Sequence, residues 1–251
     1  MSGIRILCWV ITAVGREERI SAVADTWGKD CDQLLFSIAG TNTPSVANVT
    51  YIRSPVAERY KLLWLKVRHA WAHIALKYTG FGWYLKADDD SYIDVPSMRC
   101  ALRGYSETDD LLIGRMNKHV PRQRWVSGGS GYVLSRMALS QLSTSIRKIG
   151  WMPPVCSKWV TRTLSDAEDL RVSQCLLFTG TRLVDFDKRL GLSIQAPTNT
   201  PDLTRVQEAD ILSRMALCRD CSRSQHCANA PIGFHYCKVE DMLRYARLLR
   251  H

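Results

Sequence analysis

Four short runs in this chain carry side chains able to do chemistry. The first is Asp88-Asp89-Asp90, which closes the run Gly82-Trp-Tyr-Leu-Lys-Ala. Three adjacent carboxylates, with only Lys86 close by, repel one another unless a cation sits among them. In an extended segment Asp88 and Asp90 point the same way, and their oxygens suit a hard ion such as Mg²⁺ or Mn²⁺. A divalent ion held in this way, with positions left open, is what a bound diphosphate needs. A solvated acidic turn is the plainer alternative. The second run is Ser127-Gly128-Gly129-Ser130-Gly131-Tyr132-Val133-Leu134-Ser135. Its glycines let backbone amides approach a ligand with no Cβ in the way, or they make a tight turn before a helix. It is not a Walker loop, since the Lys-Ser/Thr pair is absent.

The third run is Glu168-Asp169. Two acids in a helix's first turn are favoured by the helix dipole, and one of them is a candidate general base beside a sugar hydroxyl. Neighbouring helical residues point about 100° apart, so the two are not expected to face one site. The fourth is Phe234-His235-Tyr236. A neutral imidazole completes a carboxylate set for Mn²⁺; a histidine packed into the core is the alternative. Cys218-x2-Cys221-x4-His226-Cys227 reads either as a zinc knuckle or, preferably, as part of a disulfide set. Trp125, beside the glycine run, is a candidate for stacking on a sugar, with core packing as the default.

These residues need elements to hold them. Arg5–Ile11 is rich in β-branched and aromatic residues and reads as a strand. Glu17–Trp27 has helical spacing, and Leu34–Ala39 reads as a second strand. Ala57–Tyr78 is the strongest helix, with Leu63, Val67, Ala70, Trp71 and Ile74 on one stripe. The strand Trp83–Leu85 leads into the acidic triplet. A short helix opens at Pro96, Leu111–Ile113 is a strand, and Arg136–Leu142 is a short helix. Ser165-x-x-Glu168 resembles a capping box for a helix ending near Phe178, and Val239–Leu249 is amphipathic. The stretch 180–225 is weakly periodic. Strands alternating with helices predict an α/β fold with a mostly parallel central sheet flanked by helices. The triplet then lies at a strand's carboxyl end, where open α/β sheets bind ligands.

The chain has 251 residues, 46% apolar and 23% charged, which suits one large globular domain. Its 34 basic and 24 acidic side chains leave a formal charge of +10, which favours an anionic ligand. The basic residues are scattered, so no nucleic-acid partner is expected. Nine cysteines and the sequon Asn48-Val49-Thr50 fit a secretory compartment. Ile4–Val14 is too short to span a membrane, and Met1-Ser-Gly lacks a signal-peptide layout. A targeting segment or type II anchor is therefore expected outside this sequence.

The order of the motifs carries more than any one of them. Arg5–Thr12, Ala24-Asp-Thr-Trp27 with Cys31, Trp83–Tyr92, Val126–Ser135, Glu168-Asp169-Leu170 with Cys175, and Gly233–Tyr236 follow one another as in the core 1 β1,3-galactosyltransferases. The chain resembles that family, within the fringe-like β1,3-glycosyltransferases, over residues 4–180 and again at 228–250. The resemblance implies a GT-A fold over 1–251, with a nucleotide-binding half at 4–95 and an acceptor-binding half at 96–251. It implies inverting, Mn²⁺-dependent transfer of galactose from UDP-galactose to the 3-hydroxyl of GalNAc on Ser or Thr of glycoproteins. It places the enzyme in the Golgi lumen and admits a homodimer.

Carried over by position, Asp90 and His235 would bind the metal, with Asp88 beside them toward the ribose. Asp169 would be the base, ahead of Glu168. Thr12, Arg16, Arg19, Lys86 and Asp89 would surround the nucleotide, and Gly128 and Gly129 would border the sugars. Cys8–Cys31 and Cys156–Cys175 match cysteines paired in the family. Where relatives carry Trp and Tyr that shape the acceptor site, Asp202–Cys227 has no aromatic residue. Other readings are a fringe-like or other β1,3-transferase with a different donor or acceptor, a non-catalytic chaperone-like relative, and a zinc-dependent nucleic-acid module.

Overall fold

A computed structural model describes residues 3–40, 44–117, 124–147, 156, 167–186, 192–193, 205–219 and 231–249. The strands of the main sheet are β1 Ile6–Ile11, β2 Gln33–Ala39, β3 Thr50–Ser54, β4 Trp83–Asp88, β6 Leu111–Gly114, β7 Tyr132–Ser135 and β8 Arg182–Asp185. Their order is β3-β2-β1-β4-β7-β6-β8. All neighbours are parallel except β7, which runs antiparallel to both β4 and β6. A second sheet, β5-β10-β9, is built from β5 Tyr92–Ile93, β9 Leu192–Ser193 and β10 Gly233–His235.

The pleat of β1 explains the layers. Ile6, Cys8 and Val10 enter one apolar layer, which also holds residues of α1 Glu17–Asp25, α3 Val95–Leu102, α6 Arg205–Leu217 and α7 Val239–Leu249. Leu7 and Trp9 enter the other, with α2 Leu63–Lys77, α4 Arg136–Arg147 and α5 Glu168–Phe178. A strand buried on both faces must be apolar throughout, which is why Arg5–Ile11 shows no alternation. Disulfides Cys8–Cys31 and Cys156–Cys175 tie β1 and α5 to their surroundings.

Several expectations shift. Helix α1 stops at Asp25 and a 3-10 turn, Trp27–Asp30, follows. Helix α2 starts at Leu63, because Arg59 is extended and a 3-10 turn covers Tyr60–Leu62. The glycine run leads first into strand β7 and only then into α4; Tyr132–Ser135 is buried along its length, as a central strand requires. Strand β3 was not legible, being a short edge strand of mixed exposure. The residue before α5 is Ala167, with no side-chain cap, and Glu168, the far end of the expected capping box at Ser165, bonds to Lys86. Ser165 lies outside the described residues.

Candidate active site

Strand β4 hands Lys86 and Asp88 to the face that already carries Tyr84, because alternate residues share a face. Parallel register puts Ile11 opposite Asp88, so the loop after β1 and the acidic triplet leave the sheet side by side. Thr12 Oγ1 donates to Asp89 Oδ2 at 2.6 Å. Arg16 and Arg19 reach Asp89 Oδ1 at 3.1 and 3.0 Å, and Arg19 lies 3.6 Å from Asp90. The middle carboxylate therefore orders two partly exposed guanidinium groups at the rim of the site.

The small second sheet returns a distant residue. Phe234 pairs with Tyr92, and Cys237 N–H donates to Asp90 O at 2.8 Å. His235 Nε2 consequently stands 3.5 Å from Asp90 Oδ1. Asp88, Asp90 and His235 each offer one ligand atom, all within 4.8 Å of one another. Burial pushes the Asp90 carboxyl up, and the His235 contact together with Arg19 outweighs it, holding Asp90 below the usual carboxylate range. Two features fix the imidazole. A Cβ on Gly129 would come within 2.1 Å of His235 Cε1, so the ring lies against bare backbone. Tyr236 stacks on it at 3.8 Å between centroids. Tyr236 adopts φ 61, a left-handed conformation that is strained for an aromatic residue.

Beneath this group Lys86 is fully buried. Its Nζ donates to Asp88 Oδ1 at 2.5 Å, to Glu168 Oε1 at 2.8 Å and to Gly128 O at 3.2 Å. Burial disfavours its charge, but the two carboxylates prevail and raise its pKa above the ordinary lysine value. Burial raises the Glu168 pKa to about 7, with Lys86 opposing and Asp169 assisting. Glu168 also accepts from Tyr132 Oη at 3.3 Å. Asp169 is half-buried and accepts from Gly128 N–H at 2.8 Å.

The two acids of α5 thus meet the same loop, contrary to the expectation from their angular spacing. A Cβ on Gly128 would lie 2.4 Å from Glu168 Oε1 and 3.1 Å from Asp169 Cβ. With no side chain at Gly128, both acids close onto it, the longer one from below. Trp125 is buried, in line with the core default.

A cavity of about 280 Å³ opens among Thr12, Arg16, Lys86 and the acidic triplet. Lys66 and Glu58 also line it and were not singled out in the sequence. Lys66 is buried; it donates to Thr12 O and to both Glu58 oxygens. Its signal was a charge lying on the apolar stripe of α2. A larger cavity, about 520 Å³, lies at the amino end of β1 near Arg5 and Arg99, away from these groups.

Cys100 and Cys218 are also disulfide-bonded, whereas Cys237 keeps a buried thiol. Oxidised Cys218 does not serve a zinc knuckle; Cys221, His226 and Cys227 lie outside the described residues. No helix of the described residues is long and apolar enough to cross a membrane.

The overall fold is that of the galactosyltransferase LgtC. An active-site mutant of that protein superposes with a TM-score of 0.52 at 11% identity, covering 96% of this chain and 95% of that one. The shared architecture, a mostly parallel sheet flanked by helices, is the GT-A fold. The Fringe-like family pattern matches residues 11–177, and the chain belongs to the Fringe-like family.

Glycoprotein-N-acetylgalactosamine 3-beta-galactosyltransferase 1 of Xenopus laevis is 28% identical over 99% of this chain and 67% of its own length. N-acetyllactosaminide beta-1,3-N-acetylglucosaminyltransferase 4 of Mus musculus is 25% identical over 74% of this chain and 59% of its own length. The chain therefore spans about two thirds of the first relative and less of the second.

Proposed function

We propose that this chain is an inverting β1,3-galactosyltransferase that moves galactose from UDP-galactose to the 3-hydroxyl of GalNAc on Ser or Thr of glycoproteins. The observation that carries the reading is the meeting of Asp88, Asp90 and His235 beside a strand-end cavity, with Asp169, in the first turn of α5, bound to Gly128 of the neighbouring loop. The likeness to the Xenopus laevis galactosyltransferase supports the donor and acceptor named.

The donor set suits a resident Mn²⁺: two carboxylate oxygens and one imidazole nitrogen stand close together, and Gly129 leaves the space the imidazole occupies. Asp88, Asp90 and His235 would hold that ion. When bound, it supplies Lewis-acid neutralisation of the charge that grows on the leaving diphosphate.

The protein's own groups do the rest. Arg16 and Arg19, aligned by Asp89, offer N–H donors to the nucleotide phosphates. Lys66 fixes the carbonyl of Thr12 and so the loop that borders the nucleotide. Lys86 keeps Asp88 turned toward the cavity and balances the buried Glu168. Asp169, held by Gly128 N–H, takes the proton from the acceptor hydroxyl, a contribution of roughly 10²–10⁴ in rate. Glu168 is the weaker candidate, since it is buried and ion-paired with Lys86, whereas Asp169 is half-buried and held by the Gly128 and Leu170 backbone amides. One displacement inverts the anomeric carbon, so an α-linked donor gives a β-linked product.

On this reading 4–95 supplies the nucleotide half and 96–251 the acceptor half. The disulfides support an oxidising lumen, here the Golgi. The homodimer admitted by the same reading is checked by light scattering on the purified protein.

The test is UDP release with Mn²⁺, UDP-galactose and a GalNAc-Thr peptide, with and without chelator. Acceptor-stimulated, chelator-sensitive release is expected with UDP-galactose above UDP-GlcNAc and UDP-GalNAc. Release that ignores chelator would reject the metal reading. A second reading, transfer from another donor or to another acceptor, draws on the Mus musculus relative and on the lack of aromatics in Asp202–Cys227. Preference for UDP-GlcNAc would select it.

A further inference from the structure

We propose that Asn48 carries an N-linked oligosaccharide, which covers the open edge of the main sheet. Asn48-Val49-Thr50 is the one Asn-x-Ser/Thr tripeptide in the chain with a residue other than proline in the middle. In the structure Asn48 is exposed and sits in the turn that leads into β3, with φ 59. Asparagine tolerates that left-handed conformation better than most residues. Thr50, whose hydroxyl completes the acceptor motif, is also exposed at the first position of β3.

Two independent features make this tripeptide a usable acceptor. The disulfides Cys8–Cys31 and Cys156–Cys175, with Cys100 and Cys218 also oxidised, match a chain that matures in an oxidising lumen. N-glycans are attached in such a compartment. The site is also clear of the active centre. Strand β3 runs parallel to β2, and β2 to β1. Asn48 precedes the amino end of β3, whereas Thr12 and Asp88 lie at the carboxyl ends of β1 and β4. A glycan at Asn48 therefore starts at the opposite end of the sheet from the nucleotide cavity.

The same placement gives the glycan a task. Strand β3 ends the strand order, and among the described residues nothing pairs with its outer side. Unpaired edges template association between chains. The edge is already short, and Arg53, its fourth residue of five, is exposed. A bulky, hydrated oligosaccharide at its start adds a steric barrier.

The covalent step uses a polyprenyl diphosphate-linked oligosaccharide as co-reactant. The Asn48 side-chain nitrogen bonds to the anomeric carbon of the first sugar. The bond from that carbon to the diphosphate oxygen breaks and polyprenyl diphosphate leaves with the electron pair. The nitrogen gives up one proton, and no redox change occurs.

The test expresses the chain behind a secretion signal in cultured animal cells and treats the secreted protein with peptide N-glycosidase in ¹⁸O-water. The expected result is one mobility shift, with Asn48 recovered as labelled aspartate. The shift should vanish in Asn48→Gln and Thr50→Ala and persist in Thr50→Ser. Secreted wild-type protein with unmodified Asn48 overturns the site. Enzymatically deglycosylated protein should associate at concentrations where the untreated form stays as one species; equal behaviour overturns the edge-covering role. Mass and size are read here, not turnover, so failure of the proposed transferase activity would leave this result unaffected.

Discussion

Replacing Gly129 with alanine tests how the site is held. The new Cβ would stand 2.1 Å from His235 Cε1 and 2.3 Å from Nε2. Ordinary carbon contacts lie at about 3.5–4.0 Å, so the imidazole must retreat by roughly 1.5 Å. It has little freedom to do so. Tyr236 is stacked on the ring, and the Cys237 N–H bond to Asp90 O pins the backbone that follows. Gly129 cannot yield easily either, since Ser91 Oγ donates to its carbonyl at 2.7 Å. Metal ligands tolerate displacements of only about 0.2 Å, so a shift of this size removes His235 from the set.

The expected cost is about 10²-fold in turnover, the scale for an ångström of misplacement, with about 1–3 kcal/mol of stability lost to overpacking. The clash is with a side chain, so the fold should survive. Mn²⁺ affinity by electron paramagnetic resonance, UDP release and thermal unfolding measure the three effects. Gly104→Ala, where the nearest atom is 3.9 Å away, is the control. In the His235→Ala background, Gly129→Ala should cost almost nothing further, because the colliding ring is gone. A folded Gly129→Ala enzyme with wild-type Mn²⁺ affinity and turnover would refute the reasoning.

Other outcomes follow from the same geometry. Asp90→Ala should abolish Mn²⁺-dependent UDP-sugar hydrolysis and transfer, seen by UDP release and by calorimetric titration with Mn²⁺ and UDP. Asp169→Asn should leave UDP binding nearly intact while transfer falls by roughly 10²–10⁴; unchanged turnover would reject Asp169 as the base.

Acid should destabilise the fold through His69 and His73 of α2, whose pKa values are lowered first by burial and then by each one's cationic neighbours. The unfolded chain takes up these protons as pH falls through 6.5 while the folded chain resists, so stability drops with falling pH. The double variant with glutamine at both positions should show a smaller drop between neutral and mildly acidic urea melts. Removing Cys8–Cys31 by Cys8→Ala should cost about 3 kcal/mol for its 23-residue separation, read as a fall in urea midpoint.

Local chemistry determined a good deal of this protein from sequence alone. The run Arg5–Ile11, rich in β-branched and aromatic residues, read as a strand, and Ile6–Ile11 is one. The stripe on α2 had to face a core, and Val239–Leu249 matched its helix at both ends. The motif order placed the acidic triplet at a strand end and nominated His235, far away in the chain. Nearest-neighbour patterns do not report long-range register, so the meeting of His235 with Asp90 was decided only by β10 pairing with β5.

Tertiary structure also decided what periodicity misread. Tyr132–Ser135 became an antiparallel central strand because β4 and β6 both needed a partner there. Lys66 went into the cavity wall because Glu58 and the Thr12 carbonyl were present to bind its charge. Glu168 and Asp169 converged because Gly128 has no side chain to keep them apart. A sequence records which groups are available; their distances, burial and charge partners arise only when strands distant in the chain are brought together.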